Sequence, residues 1–130
     1  SGPSSIAQKA AEVAYTGSLD CVLEMRKAFE RRRDLVYDLV SKIEGLKVAK
    51  PDGAFYIFPD CTYYFGNSYG GKTIENSGDL SMFLLEFGHV ACVAGQAFGA
   101  PECIRFSYAT ADDLLVEAFK RVKDTLAKLS

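Results

Sequence analysis

The chain has 130 residues, a formal net charge of -2 and a pI near 5.4: long enough for one domain with a real core, and without the charge that would draw it to nucleic acid. Hydrophobic residues at 48 %, charged residues at 25 % and a mean hydropathy of +0.01 are the values of an ordinary soluble domain, against disorder and against membrane insertion. Four cysteines, Cys21, Cys61, Cys92 and Cys103, stand far apart with only His89 to assist them, so no metal site is expected; free thiols in a reducing cytoplasm are.

Ser4 and Ser5 offer a cap to a first helix through Ile6 to Ala14, which Gly17 stops. A second helix is expected from Ser18 to Gly45, with Val22, Met25, Phe29, Val36, Leu39 or Val40, and Ile43 on one stripe. Glu24, Lys27, Glu30, Arg31 and Asp34 lie opposite, and the run Arg31-Arg32-Arg33 reads as a solvated helix face. Leu46 to Ala49 reads as a short strand and Pro51-Asp52-Gly53 as a turn, with glycine supplying the unusual dihedral. Ala54 to Phe58 follows as a strand dense in aromatic and β-branched residues, halted by Pro59.

The segment from Asp60 to Ser77 has no regular period and reads as a long surface loop. Ser77 or Asp79 can open a third helix that Gly88 closes. Val90 to Val93 is fully apolar, as an interior strand would be. The glycines of Gly95-Gln96-Ala97-Phe98-Gly99 permit close backbone approach. Glu102 to Thr110 reads as a strand with Ile104, Phe106 and Tyr108 on one face and Cys103, Arg105, Ser107 and Ala109 on the other. Thr110 with Asp113 reads as a capping pair for a last helix whose stripe is Leu115, Ala118, Phe119, Val122, Leu126 and Leu129. The order implies one α+β domain over residues 1–130, a small mainly antiparallel or mixed sheet covered by helices, with Arg105 and the Gly95 loop at the same edge.

Among these residues Arg105 carries the chemistry. A guanidinium is always charged and presents a planar fork that meets a carboxylate at two points, so an arginine held on a strand makes an anion clamp. No nucleophile, base and orienter converge. His89, beside an apolar strand, reads as structural, and the Gly95 loop lacks the Lys-Ser/Thr of a phosphate loop. What remains is a rim of aromatics, a permissive loop and one arginine: a carboxylate-binding edge without a reactive group.

Pro51-Asp-Gly-Ala-Phe-Tyr-Ile-Phe58, Val90-Ala-Cys-Val-Ala-Gly-Gln-Ala-Phe-Gly99 and Cys103-Ile-Arg-Phe-Ser-Tyr-Ala-Thr110, with Ser4-Ser-Ile-Ala-Gln8 ahead of them, together resemble the carboxy-terminal small domain of class I pyridoxal-phosphate aminotransferases, closest to the aspartate and prephenate branch. The resemblance implies that Arg105 binds the α-carboxylate of an amino or 2-oxo acid, and that Gly53 and Phe55, matching a Gly-x-Phe pattern, border the substrate pocket. Where family members usually show Pro-Gly, this chain has Ala94-Gly95. No lysine stands in the Ser-x-Ser-Lys setting of the family's Schiff-base residue. The resemblance therefore implies a fragment of a longer, homodimeric, cytoplasmic enzyme. Pyridoxal 5'-phosphate would be held by an absent large domain, no cofactor by this piece, and the piece would be inert alone. The opening Ser1-Gly2-Pro3, without a methionine, reads the same way. A free-standing amino-acid-binding regulatory module is the alternative, and a purely structural interaction domain the third reading, favoured if Arg105 is paired internally with a carboxylate.

Overall fold

The computed structural model describes residues 2–130. Ser4 caps helix α1 (Ser5–Thr16), its hydroxyl accepting from the Ala7 N–H at 3.3 Å, and Gly17 ends it. Helix α2 (Asp20–Ser41) starts where the Ser18 hydroxyl accepts from the Asp20 N–H at 3.1 Å. It stops short of Gly45, which takes φ +82° in the turn that follows. A Cβ there would lie 2.2 Å from the Tyr63 ring, so glycine is needed twice over, for dihedral and for space.

The segment from Leu46 to Ala49 does not form the expected strand. It makes one antiparallel bridge, Lys47 with Asp60, at the base of a wide turn. Within that turn the left-handed dihedral falls on Ala54 (φ 66°) and not on Gly53. Strand β1 is shorter than expected, Tyr56–Ile57. The stretch read as an irregular loop contains a single 3-10 turn at Thr62–Tyr64 and a hairpin of β2 (Ser68–Tyr69) and β3 (Lys72–Thr73). Gly70 and Gly71 form its two-residue tip, both at positive φ, the dihedrals a tight hairpin demands.

Helix α3 (Ser77–Gly88) is capped by Asn76, whose side chain accepts from the N–H groups of Gly78 and Asp79. Strand β4 is Val93–Ala94, and β5 is Ile104–Ser107. The main sheet runs β1-β5-β4, all antiparallel. Two expectations are thereby corrected: the apolar run Val90 to Val93 leads to an edge strand with Val93 39 % exposed, and Arg105 lies on the central strand. Helix α4 (Asp112–Leu126) is preceded by Ala111 with no side-chain cap, so Thr110 does not act as one. Instead Asp112, in the first turn, accepts from Arg31 at 2.8 Å and Arg32 at 3.1 Å. Within the basic run only Arg31 is exposed: Arg31 and Arg32 form a clasp between α2 and α4, and half-buried Arg33 holds Asp34.

The alternation along β5 decides the layers. Ile104, Phe106 and Tyr108 are buried with Ile57 beneath the sheet. They meet Val36 and Val40 of α2, Leu80, Phe83 and Leu84 of α3, and Leu115, Phe119, Val122 and Leu126 of α4 in one core. Phe106 and Phe119 stack edge to face with centroids 5.4 Å apart. Burial of each such side chain stabilises by roughly 1.5–3 kcal/mol, so the helical layer is fixed to this one face. The architecture is the expected α+β class, a helical layer on a small antiparallel sheet, and the opposite sheet face is left uncovered.

Candidate functional site

Register places Tyr56 opposite Ser107 and Val93 opposite Arg105, so Tyr56, Arg105, Ser107 and Val93 share the uncovered face. A central strand is hydrogen-bonded on both sides, which makes it a rigid mount for a long side chain. The Arg105 guanidinium carbon sits 4.6 Å from the Phe98 ring centroid and 5.3 Å from that of Tyr56. Phe58 meets Phe98 edge to face at 5.9 Å and completes a cleft of about 60 Å³ around the cation. Two ring faces hold the guanidinium in place while leaving its N–H fork unused, since π faces attract the charge and accept no in-plane hydrogen bond.

Phe98 reaches the cation because Gly95 lets the chain fold tightly. The Gly95 N–H donates to the Cys103 carbonyl at 2.8 Å and its own carbonyl accepts from Ala100 at 3.1 Å. A Cβ at Gly95 would lie 2.1 Å from the Ala100 oxygen and 2.4 Å from that of Cys103. The close approach expected of this loop is therefore present. It forms a 3-10 turn over Gly95–Phe98, which Gly99 ends at φ +74°.

Among the described residues Arg105 makes no ion pair, whereas Arg31, Arg32, Arg33 and Arg121 each hold a carboxylate. The condition that would have favoured a purely structural interaction domain is not met. Phe55, 50 % exposed, packs edge to face on Tyr56 at 5.8 Å and so stands one ring away from the cation. Gly53 lines a different cleft of about 320 Å³, against α2, beside Arg26, Glu30, Arg33 and Asp52. Open space surrounds its Cα on the side a Cβ would occupy. The structure thus groups Arg105 with Tyr56, Phe58 and Phe98, sets Phe55 next to them, and puts Gly53 on the far side of the turn. Strand alternation in Tyr56-Ile57-Phe58 was the signal for two of the three rings. Phe98 had none, because a one-turn 3-10 segment leaves no period to read.

Tyr108 joins the two sides. Its N–H donates to the Phe55 carbonyl at 2.8 Å, and its hydroxyl lies 3.1 Å from the Ala54 carbonyl and 3.3 Å from that of Gly53. Burial pushes this phenol above its ordinary range. Burial likewise pushes the thiols of Cys61 and Cys92 up to about 12 and raises that of Cys103, so none is an activated nucleophile. His89 is exposed at the end of α3, with φ 55°.

The described residues do not make a cradle for pyridoxal phosphate. Every lysine is exposed, and Lys9, Lys42, Lys50 and Lys72 are engaged with carboxylates, so no amine is desolvated beside the cleft. No cluster of three or more potential metal ligands occurs among the described residues, and no helix there is long and apolar enough to cross a membrane.

Fold and cleft together define an α+β domain with one uncommitted guanidinium on an open sheet face. The family model for class I and II aminotransferases matches residues 1–122. The chain is 50 % identical over 112 residues to a probable aspartate/prephenate aminotransferase of Aquifex aeolicus, covering 86 % of this chain and 27 % of that protein. It is 43 % identical to an aspartate aminotransferase of Bacillus subtilis, covering 100 % of this chain and 32 % of that one. The crystal structure of an aspartate aminotransferase from Rhizobium meliloti superposes with a TM-score of 0.92 at 43 % identity, over 100 % of this chain and 33 % of that one. The chain belongs to the class I and II aminotransferase family, and spans about a third of the length of these relatives.

Proposed function

We propose that this chain is the carboxy-terminal small domain of a longer aminotransferase, and that it binds the α-carboxylate of the amino or 2-oxo acid and closes over it. The observation that carries the reading is Arg105: mounted on the central strand, steadied by Phe98 and Tyr56, and without a carboxylate of its own among the described residues. A charge-assisted bidentate contact there contributes about 1.5–3 kcal/mol to binding. Phe55 borders the approach as an apolar wall, whereas Gly53, expected beside it, lines the cleft against α2 and has no part in this reading.

Pyridoxal 5'-phosphate supplies the electron sink for transamination in such enzymes and belongs, in this reading, to the part of the polypeptide that this chain does not span. What these residues contribute is orientation and exclusion of water, so the piece alone is inert. Aspartate as donor fits the relatives' names; with 2-oxoglutarate as acceptor and a homodimeric cytoplasmic enzyme as the setting, it completes the proposal.

The test is the full-length protein, assayed for aspartate–oxoglutarate exchange with and without Arg105→Lys. That variant keeps the charge and loses the fork, so KM should rise for every substrate alike. Unchanged kinetics would end the clamp role. Tight binding of free aspartate by the 130-residue chain alone would favour the amino-acid-binding regulatory module instead.

A further inference from the structure

Resting on the reading of Arg105 as the carboxylate clamp, we infer that Tyr108 is a positioning residue that locks the Gly53–Phe55 turn against β5, and thereby sets the aromatic wall beside Arg105. Three successive carbonyls, those of Gly53, Ala54 and Phe55, face the donors of this one residue at 3.3, 3.1 and 2.8 Å. The Ser107 hydroxyl adds a longer contact to the Phe55 carbonyl at 3.4 Å. Tyr108 itself cannot drift, since it is 1 % exposed and its ring packs 6.3 Å from that of Phe29 on α2.

The turn needs such a lock. Ala54 holds φ 66°, a left-handed conformation that residues bearing a Cβ adopt at a cost and keep only when their surroundings over-determine it. Gly53, Ala54 and Phe55 are all exposed, so packing does not hold them. The hydrogen bonds from Tyr108 do. Tyr56 follows directly, and its ring is one of the two that flank the Arg105 guanidinium. Arg105 and Tyr108 lie three residues apart on one rigid segment, so the lock fixes clamp and wall to the same mount. A turn released from Tyr108 would let Phe55 and Tyr56 swing, and the guanidinium would lose one of its two ring faces.

The experiment uses the full-length protein with aspartate and 2-oxoglutarate. Tyr108→Phe removes the hydroxyl but keeps the ring and the backbone bond. The freed carbonyls of Gly53 and Ala54 can take water, so the variant folds. KM should rise roughly three- to tenfold, the equivalent of one neutral hydrogen bond, with kcat moving less. Adding Ala54→Gly, which accepts the left-handed dihedral without a Cβ, should bring KM back toward its starting value. Amide exchange should quicken over residues 53–58 and stay unchanged in α4.

An unchanged KM for Tyr108→Phe, while Arg105→Lys raises it, overturns the positioning role and leaves the clamp intact. A rise in KM that Ala54→Gly fails to relieve assigns Tyr108 a general packing role and also overturns the inference. If Arg105→Lys has no effect, or the unaltered protein does not transaminate, the reading of the site fails and this inference goes with it.

Discussion

The arm formed by α1 and the first half of α2 carries the same kind of apolar stripe as α4, yet the two regions end in opposite environments. No residue of α1 is buried, and Ile6, Val13, Tyr15, Val22 and Met25 are 82, 62, 90, 53 and 57 % exposed. In α4, Leu115, Phe119, Val122 and Leu126 are all within 4 % of complete burial. An amphipathic period therefore says that a helix has a side to cover, and a second element must be present to cover it. Along α2 such contact begins with Phe29, packed on Tyr108, and full burial begins at Val36.

If the body alone holds the fold, the largest loss should follow from Gly95→Ala. The added Cβ strikes two backbone carbonyls that cannot give way, costing upwards of about 3 kcal/mol, and chemical denaturation should show it. Close behind comes Leu84→Ala, which opens a cavity at a fully buried site and should cost roughly 2–5 kcal/mol by the same measurement. Next stands Arg105→Lys, which should leave the melting temperature almost unchanged because the side chain points off the uncovered face. On the proposed clamp role, its cost in a longer aminotransferase carrying this domain, up to about 3 kcal/mol, should appear in KM.

A smaller effect separates the two halves of α2 at the clasp. Hydrogen bonds from Arg31 and then Arg32 hold the Asp112 carboxyl below its ordinary value of 3.8. A depressed folded value means that the stabilisation is fully present above 3.8 and is lost as pH falls from there through the lower folded value. Asp112→Asn should therefore lower the melting temperature slightly at neutral pH, and the gap from the unaltered protein should close in acid. The smallest effect belongs to the arm. Val13→Ser in this 130-residue chain should change stability by less than about 0.5 kcal/mol, and a large loss would show that the arm is packed after all.

The helices were legible because α2 and α4 carry long apolar stripes and α1 lies between Ser4 and Gly17, although α4 has no Ser, Asn or Gly at either cap. The two-faced strand at Arg105 was legible because Ile104, Phe106 and Tyr108 alternate with small or polar neighbours. Strands of two residues, such as β1 and β4, offer too short a run for alternation to register, and their pairing is set by β5 from a distance. The apolar run Val90 to Val93 suggested an interior position, since hydropathy alone does not reveal which sheet edge is filled. Gly70-Gly71 did announce the β2–β3 hairpin, and lay hidden in a glycine-rich stretch read as loop. Thr110 does not take its expected capping role: Ala111 stands at the cap, and Asp112 in the first turn meets Arg31 and Arg32 instead. In the site, the arginine was visible as a type and a position. Its company was not, because Phe98 arrives through a turn that only Gly95 makes tight enough.

The four thiols give the molecule an internal gauge. Cys21 lies on the exposed arm, whereas Cys61 is fully enclosed with its Sγ 3.3 Å from the Glu102 carbonyl, and Cys92 and Cys103 are partly shielded. A thiol-specific dye should thus modify Cys21 at once in the native protein, while Cys61 waits for the sheet to part. The rate of the delayed labelling then reports how often the body opens, with the prompt reaction of Cys21 as the internal reference.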